Sequence, residues 1–391
     1  MTPSARLQAA IEILEGLNGT VAPADRAMRD WFATRRFAGS GDRRAIAEMV
    51  FRILRHRASL SWRMQSESPR SLMIAALLGD GQDPKSLFTG GYGPGPLSAK
   101  EQSAIAAPLA LPPPWVAGEF PEWLQSELTR RFGPSLADEM AAMTARAPVD
   151  LRANSLKSSR EAILLALRAD GIPAEPIGAR AIRCPPGTRN LDKHALFLSG
   201  AFEIQDLAAQ TSVERAEVKP GMRILDMAAG AGGKSLALAA AMQNQGEIIA
   251  CDPRGAALAE LEKRAQRAGA HIIRAHILGD LPPGPFDLVF VDAPCSGSGT
   301  WRRQPELKWR LTPGRLDQLT ALQDRLLDQG ASLGPAQLVY ATCSILPAEN
   351  DDRMAVFLAK NPGFQRTKPD FQASPAASNM DGFYAAFLTR I

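Results

Sequence analysis

Cysteine is scarce in this chain of 391 residues, which has only four: Cys184, Cys251, Cys295 and Cys343. They form no CxxC pair and no cluster with histidine at the spacing of metal ligands. We therefore expect neither a disulfide framework nor a metal site. Any function of these cysteines should depend on their free thiols.

Long hydrophobic runs are also missing, although hydrophobic residues make up an ordinary 45% of the chain. No run approaches the roughly 20 apolar residues that span a bilayer. The first residues, MTPSARLQAAIEIL, lack the basic start, apolar stretch and small-residue cleavage site of a secretory signal. We therefore expect a cytoplasmic protein without membrane contact. The alternating pattern described below offers no obvious self-association seam, so we expect a monomer.

The net charge of +4 is small, but the positive charge is unevenly distributed. The range 26–63 holds ten arginines and only three acids. One interpretation is a solvated helical surface. The other, favoured because phosphate contacts need clustered arginine, is an RNA-facing module with aromatic residues interleaved. The residues that we expect to contact RNA here are Arg35, Arg36, Arg43 and Arg44.

The chain changes character along its length, and its length predicts more than one domain. Apolar residues at helical spacing predict an all-α domain over 1–144. Mixed short patterns predict a small α+β subdomain over 145–215. Over 216–391 strands and helices alternate, which predicts a parallel, doubly wound sheet. The predicted strands of this sheet include 223–226, 247–252, 286–292 and 337–341, and the predicted helices between them include 255–268 and 315–329.

Two of these strands lead into loops that carry a thiol. The stretch FDLVFVDAPC runs from an apolar strand through Asp292 to Cys295, and QLVYATCS ends in Thr342 and Cys343. Ligands of open α/β sheets bind beyond the carboxyl ends of the strands. We therefore expect the two thiols to meet at one edge of the sheet. The alternative is that both are small buried hydrophobes, the commoner fate of free cysteine.

A glycine-rich loop, ILDMAAGAGGKS, follows the first strand of this sheet. A phosphate-binding P-loop would need glycine where Ala228 stands, and a dinucleotide GxGxxG starting at Gly230 would need glycine or alanine where Ser235 stands. What remains is a loop that lets a ligand approach the backbone closely. The predicted cofactor contacts in it are Asp226, Ala228, Ala229, Gly230, Ala231, Gly232, Gly233 and Lys234.

Acidic residues stand at the ends of the following strands. Asp252 lies 20 residues past Gly232, where a carboxylate can accept both ribose hydroxyls of a nucleoside cofactor. Asp280 should close the third strand and border the adenine. Taken singly, each acid could equally be a helix cap or a turn former. Three acids at three successive strand ends, Asp226, Asp252 and Asp280, favour a cofactor site. We also assign Arg254, Asp292 and Pro294 to this site.

Several segments resemble those of the Sun/RsmB-type RNA cytosine-5 methyltransferases, over roughly 145–391: DAPCSGSG, WRRQPELKW, YATCSILPAEN and DGFYAAFL. RANSLK is similar to a segment that this family places ahead of its catalytic sheet. The helical N-terminal region is similar, more loosely, to the NusB-like RNA-binding domain of the bacterial ribosomal-RNA branch. The chain departs from the family at the glycine loop, where Cys-Ala-Ala-Pro-Gly-Gly-Lys is usual. We expect this departure to affect cofactor affinity rather than cofactor identity.

The resemblance implies a Rossmann-like methyltransferase sheet, preceded by the small subdomain and the NusB-like domain. It implies an enzyme that methylates carbon 5 of a cytosine in RNA, with small-subunit ribosomal RNA as the expected substrate and S-adenosylmethionine as cofactor. By the resemblance, Cys343 is the nucleophile and Cys295 the residue that assists release. Asp292 would bind the pyrimidine, and Lys234 would stabilise the thiolate or the adduct by its charge.

Further RNA contacts are expected of Arg152 and Asn154, in the segment that resembles the family, and of Arg302, Arg303, Lys308 and Trp309. The last four follow the catalytic loop directly, where basic side chains can bind phosphates and aromatic ones can stack on bases. The alternative for the last four is an ordinary charged helix entry. Two other functions stay open from the sequence: a non-catalytic RNA-binding assembly factor on a methyltransferase fold, and a DNA cytosine-5 methyltransferase. The DNA enzymes also use a Pro-Cys loop, but they need no Thr-Cys-Ser at a later strand.

Overall fold

The structure, a computed structural model, describes residues 1–20, 22–277, 279 and 281–391. The chain forms two compact units. The helical unit comprises Met1–Ala145 and Trp301–Arg310, and the sheet unit comprises Arg146–Thr300 and Leu311–Ile391. Among the described residues, no helix has both the length and the apolar character needed to cross a membrane.

The helical unit is built from amphipathic helices around one core. Ala10, Ile46 and Ile74 are completely buried at its centre. Helix starts follow local sequence rules: the Thr2 hydroxyl accepts from the Ala5 amide, and a proline opens the first turn. The helices are α1 (Pro3–Leu17), α2 (Ala24–Ala33), α3 (Ser40–Arg55), α4 (Arg57–Met64), α5 (Pro69–Gly79), α6 (Ala99–Ala106), α7 (Pro114–Ala117), α8 (Gln125–Phe132) and α9 (Leu136–Thr144).

The sheet unit begins with a small antiparallel sheet in the order β2-β3-β1-β4. A buried ion pair fixes it, because the Arg183 guanidinium donates to both carboxylate oxygens of Asp150 at 2.7 and 2.8 Å. Asp150 also accepts from the Leu207 amide, which ties the sheet to a following helix. The elements are β1 (Val149–Ala153), α10 (Arg160–Ala169), β2 (Glu175–Ile177), β3 (Ala181–Cys184), α11 (Ala195–Leu198), β4 (Phe202–Ile204) and α12 (Leu207–Glu214).

A larger sheet follows in the order β10-β12-β9-β8-β5-β6-β7, with β11 also paired to β12. Strands β5 to β9 are parallel, and β12 runs antiparallel beside β9. The elements are β5 (Arg223–Met227), α13 (Gly233–Ala241), β6 (Glu247–Asp252), α14 (Gly255–Ala268), β7 (Ile273–Ile277), β8 (Leu288–Asp292), α15 (Glu306–Arg310, in the helical unit), α16 (Pro313–Ser332), β9 (Gln337–Thr342), α17 (Asp351–Lys360), β10 (Phe364–Arg366), β11 (Phe371–Ala373), α18 (Pro375–Ser378) and β12 (Phe383–Arg390).

The predicted doubly wound Rossmann-like sheet is confirmed. Its central strands are apolar on both faces because helices cover both, and Leu225, Val289 and Leu338 are completely buried. The predicted strand 286–292 begins two residues later, at Leu288, after a cis peptide bond between Gly284 and Pro285.

Candidate active site

Two loops meet at the carboxyl ends of β8 and β9. These strands are parallel neighbours, with Asp292 opposite Ala341, so the loops that leave them start side by side. The Sγ atoms of Cys295 and Cys343 lie 3.3 Å apart, and both residues are half-buried. The fold thus brings together two thiols that are 48 residues apart in the chain.

The hydrogen bond to the Cys343 sulfur raises the pKa of Cys295 well above its usual value. Burial and the negative charges of Cys343 and Glu349 act in the same direction. Deprotonation of Cys295 is therefore disfavoured. The sequence motifs contain Glu349, in YATCSILPAEN, but no pattern within the sequence assigned it a role.

A lysine and an aspartate lie beside the thiols. Lys234, in the first turn of α13, donates from Nζ to Oδ2 of Asp292 at the end of β8, over 2.6 Å. Burial opposes the charge on Lys234, but the Asp292 carboxylate outweighs it, so the pKa of Lys234 is raised. The site therefore contains a permanent cation, and the negative charge of Cys343 adds to this effect.

The glycine loop passes between β5 and α13 with unusual backbone angles. Gly232 has a φ of +80°, and a Cβ there would lie 2.6 Å from the Leu261 side chain. Ala228 has a positive φ of 62° despite its side chain. The Gly230 amide donates to Asp252 Oδ2 at 2.9 Å, and the Ala231 carbonyl accepts from Arg264. The loop is thus held close to the end of β6.

The Asp252 carboxylate is fully occupied by hydrogen bonds in this structure. Arg254 donates from Nε to Oδ1 at 2.8 Å and from Nη2 to Oδ2 at 2.9 Å, and its amide also reaches Oδ1. Burial of Asp252 would raise its pKa, but these bonds and the Gly230 amide hold the pKa below its usual value. Arg254 is exposed, so its guanidinium can move away when another donor arrives.

Asp226 lies beneath the glycine loop with no exposed surface. Its Oδ2 accepts from the Ser235 hydroxyl at 2.5 Å, and among the described residues Oδ1 has no hydrogen-bond partner. Burial raises the pKa of Asp226 to about 7. Asp226, with its unpartnered acceptor, and Asp252, at the ribose-binding position, flank the glycine loop. This arrangement fits a nucleoside cofactor that carries an amino group.

The other predicted cofactor contacts are distributed as follows. Pro294 is exposed, and its carbonyl accepts from Gln323 at 3.0 Å. Asp280 lies outside the described residues, and the strand that precedes it ends at Ile277. Among the residues that the structure describes, no group of three or more histidine, cysteine, aspartate or glutamate side chains could hold a metal ion.

The side chains of Arg152 and Asn154 are buried and bonded within the sheet unit, and their RNA contacts remain predictions. Arg152 donates from Nε to Gln205 Oε1 at 2.7 Å, and Gln205 in turn donates to the Gly233 carbonyl. Asn154 donates to the carbonyls of Gly200 and Ala268 at 2.8 Å. Asn154 thus joins the small sheet to α14, and Arg152 supports the glycine loop.

The RNA contact expected of Lys308 also remains a prediction. Lys308 is 1% exposed, and its Nζ donates to a backbone carbonyl within the helical unit. Arg302 is also buried, and its contact with phosphate remains a prediction. Arg303 and Trp309 are half-buried, and their RNA contacts remain predictions.

The arginine cluster of the helical unit is largely on the surface. Arg36, Arg43 and Arg44 are exposed around the start of α3. Arg35 is half-buried, with its guanidinium 4.1 Å from the centre of the Trp31 ring. RNA binding by these four residues remains a prediction.

Comparison with known families gives two matches. Residues 215–389 match the family described as 16S rRNA methyltransferase RsmB/F. Residues 120–184 match the ferredoxin-like domain of RsmF/B-like methyltransferases. The second match runs from the helical unit into the small antiparallel sheet.

Similar proteins include bacterial ribosomal RNA enzymes. The chain is 32% identical over 298 residues to the probable ribosomal RNA small subunit methyltransferase B of Synechocystis sp., covering 69% of this chain and 67% of that protein. It is 31% identical over 301 residues to ribosomal RNA small subunit methyltransferase B of Vibrio vulnificus, covering 70% of this chain and 68% of that protein.

Solved structures show the same fold. The crystal structure of PH0851 superposes with a TM-score of 0.79 at 22% identity, covering 100% of this chain and 99% of that one. NSun6 from Pyrococcus horikoshii, solved with SFG, an analogue of S-adenosylmethionine, gives a TM-score of 0.63 at 19% identity. That match covers 69% of this chain and 98% of the NSun6 chain.

Proposed function

The chain belongs to the 16S rRNA methyltransferase RsmB/F family, and we propose that it methylates carbon 5 of a cytosine in small-subunit ribosomal RNA through a covalent cysteine adduct. The cofactor is S-adenosylmethionine, which when bound supplies a methyl group on a sulfonium centre. The observation that carries the proposal is the 3.3 Å approach of Cys295 and Cys343 at the ends of β8 and β9.

The chemistry explains why one thiol must act first. Carbon 5 of cytosine is a poor nucleophile, so a thiolate must add to carbon 6 and shift an electron pair toward carbon 5. We assign this step to Cys343, since deprotonation of Cys295 is disfavoured. Asp292 would hydrogen-bond the pyrimidine around N3 and its amino group, and Lys234 keeps positive charge beside the adduct.

The second thiol has a role after methyl transfer. The carbon 5 proton must then leave, and the bond between carbon 6 and the Cys343 sulfur must break. Once Cys343 has become a neutral thioether, its charge no longer holds the proton on Cys295. Cys295 can then lose its proton to solvent and, as a thiolate, take the proton from carbon 5. The freed electron pair re-forms the double bond between carbons 5 and 6 and expels Cys343 as a thiolate.

The proposal is tested by the two thiols, which should give opposite results. Cys343→Ala should abolish methyl transfer and form no covalent adduct. Cys295→Ala should add to the base, methylate it once and stall as a conjugate with RNA that survives denaturation. A denaturing gel with labelled RNA and S-adenosylmethionine would show that band for Cys295→Ala alone.

Other outcomes have clear meanings. A band with Cys343→Ala instead would reverse the two roles. If neither variant gave a band while the wild type turned over, the covalent mechanism would be excluded. A wild type that bound RNA but transferred no methyl group would favour a non-catalytic assembly factor, and mapping of 5-methylcytosine in cellular RNA with and without the gene would identify the base.

A further inference from the structure

A single buried carboxylate joins the two thiol loops. Glu349 has no exposed surface and accepts hydrogen bonds from the hydroxyls of both Ser296 and Ser344. These serines directly follow Cys295 and Cys343 in the chain. The Ser296 amide also donates to Glu349, at 2.8 Å. Both thiol-bearing turns are thus attached to one side chain.

Glu349 is itself held by the surrounding sheet unit. Gln323 of α16 donates to Glu349 Oε1 and to the Pro294 carbonyl, both at 3.0 Å. The Tyr340 hydroxyl, on β9, donates to the Glu349 carbonyl at 2.6 Å. A third serine, Ser298, contacts the Ser344 hydroxyl at 2.9 Å, and its hydroxyl oxygen accepts a hydrogen bond from the Ile345 amide at 3.0 Å. The position of the carboxylate is therefore fixed from several elements.

The hydrogen-bond donors around this carboxylate are neutral. Hydroxyl, amide and backbone groups satisfy its oxygens without cancelling its charge, and burying a charge is costly unless something offsets it. The charge is not needed to join the two loops, because uncharged serine and glutamine side chains can form such hydrogen bonds on their own. A buried negative charge has a further effect, because at short range it disfavours a second negative charge on a neighbouring thiol.

The charged and titratable groups around Cys295 act on it unequally. Cys343 and Glu349 both disfavour the Cys295 thiolate. Burial raises the pKa of Tyr340, so its phenol is neutral and adds no charge. Lys234 interacts with Asp292, Asp226 and Cys343. The buried acid thus opposes negative charge on Cys295.

We propose that Glu349 is a positioning residue that fixes the two thiol loops against each other, and that its buried charge helps to make Cys343 rather than Cys295 the nucleophile. The inference rests on the proposed covalent mechanism and assigns to it a residue outside the reacting atoms. It predicts two separable effects, one on geometry and one on charge.

The geometric effect is tested in the Cys295→Ala background, where the conjugate with RNA accumulates. Adding Glu349→Ala should slow conjugate formation roughly 10- to 100-fold, since small misplacements of reacting groups carry penalties of this size. Glu349→Asp should recover part of the rate. Asp351→Asn is the matched control, because it neutralises an acid two residues away whose carboxylate contacts Gln372, and it should leave the rate unchanged.

The charge effect is tested in the Cys343→Ser background by alkylating Cys295 with iodoacetamide across a pH series and measuring the modified peptide by mass spectrometry. Glu349→Gln keeps the shape of the side chain and removes its charge. The midpoint for Cys295 should move to lower pH by about one unit or more. A role in packing alone would not shift this midpoint downward.

The outcomes separate the inference from the function on which it rests. If neither Cys295→Ala nor Cys343→Ala gives a conjugate while the wild type turns over, the covalent mechanism fails, whereas the alkylation series still measures the charge effect. Conjugate formation at equal rates with and without Glu349→Ala, or an unmoved Cys295 midpoint with Glu349→Gln, would overturn the inference. Unchanged S-adenosylmethionine affinity, measured by calorimetry, shows that a variant is folded. If Glu349→Ala does not fold, Ser296→Ala and Ser344→Ala replace it, because each removes one hydrogen bond to Glu349. Each of these variants should also slow conjugate formation.

Discussion

Lys308 donates from Nζ to the backbone carbonyl of Glu119 at 2.8 Å, across 189 positions of sequence. The Glu119 carboxylate accepts from the Ala58 amide at 2.9 Å, at the start of α4. Lys308 also reaches the Arg55 carbonyl, and Trp309 donates to the Leu54 carbonyl at 2.6 Å. The segment 301–310 is therefore a structural part of the helical unit.

Lys308→Ala should destabilise the helical unit without changing how RNA binding depends on salt. The substitution leaves buried carbonyl groups without a donor, at about 1 to 3 kcal/mol. The midpoint of thermal unfolding should be lower for Lys308→Ala. It should be unchanged for Lys85→Ala, which replaces an exposed lysine. A flatter salt dependence of RNA binding for Lys308→Ala would show instead that Lys308 contacts phosphate.

Combined Arg36→Ala, Arg43→Ala and Arg44→Ala should weaken RNA binding mainly at low salt. Each lost phosphate contact reduces the slope of log affinity against log salt by about 0.7 to 0.9, so three contacts should reduce it by about 2. Fluorescence anisotropy with ribosomal RNA fragments across a salt series measures this. The control removes three charges elsewhere in the helical unit, with Lys85→Ala, Lys100→Ala and Arg130→Ala. Equal slopes for the two triple variants would mean that the cluster is only a solvated surface.

Asp252→Ala should weaken S-adenosylmethionine binding by about 1 to 3 kcal/mol, the cost of removing a charge-assisted acceptor for ribose hydroxyls. Arg254→Ala should not cause this loss, because its guanidinium competes with the ribose hydroxyls for the Asp252 carboxylate. Calorimetry measures both variants, with Glu247→Gln at the opposite end of β6 as the control. Unchanged affinity for Asp252→Ala would remove this residue from the site.

Asp226 should make the sheet unit less stable as the pH rises. Its pKa is about 7 in the folded chain against an ordinary 3.8, so the folded state binds the proton more tightly than the unfolded state. The stability from this proton is complete below pH 3.8 and is lost as the pH rises through 7, a change on the order of 4 kcal/mol.

Asp226→Asn removes the titrating group, so its unfolding midpoint should lose this part of the pH dependence. The variant should exceed the wild type most clearly at pH 8, where the wild-type carboxylate is charged. Thermal unfolding at pH 5 and pH 8 checks this, with the exposed Asp317→Asn as control. If Asp226→Asn and the wild type respond equally to pH, the buried carboxyl is not protonated in the folded chain.

Much of the sheet could be predicted from the sequence, because strand and helix periods are local properties. The helix predicted over 255–268 has those bounds in the structure, and the strand 247–252 does too. The pairing of the thiols also followed, since parallel neighbouring strands end at the same edge of a sheet. Their assignment as nucleophile and release residue came from the family resemblance rather than from the pattern.

Burial of charged side chains was decided only by the tertiary structure. Arg152, Asn154 and Lys308 have the composition of a nucleic-acid surface, yet their partners are carbonyl and amide groups distant in sequence. The role of Glu349 was likewise not predictable, because nothing in the local sequence distinguishes this acid. Only the fold brings the hydroxyls of Ser296 and Ser344 to its carboxylate. A sequence records which groups can donate and accept, whereas the fold alone determines which of them meet and which are removed from water.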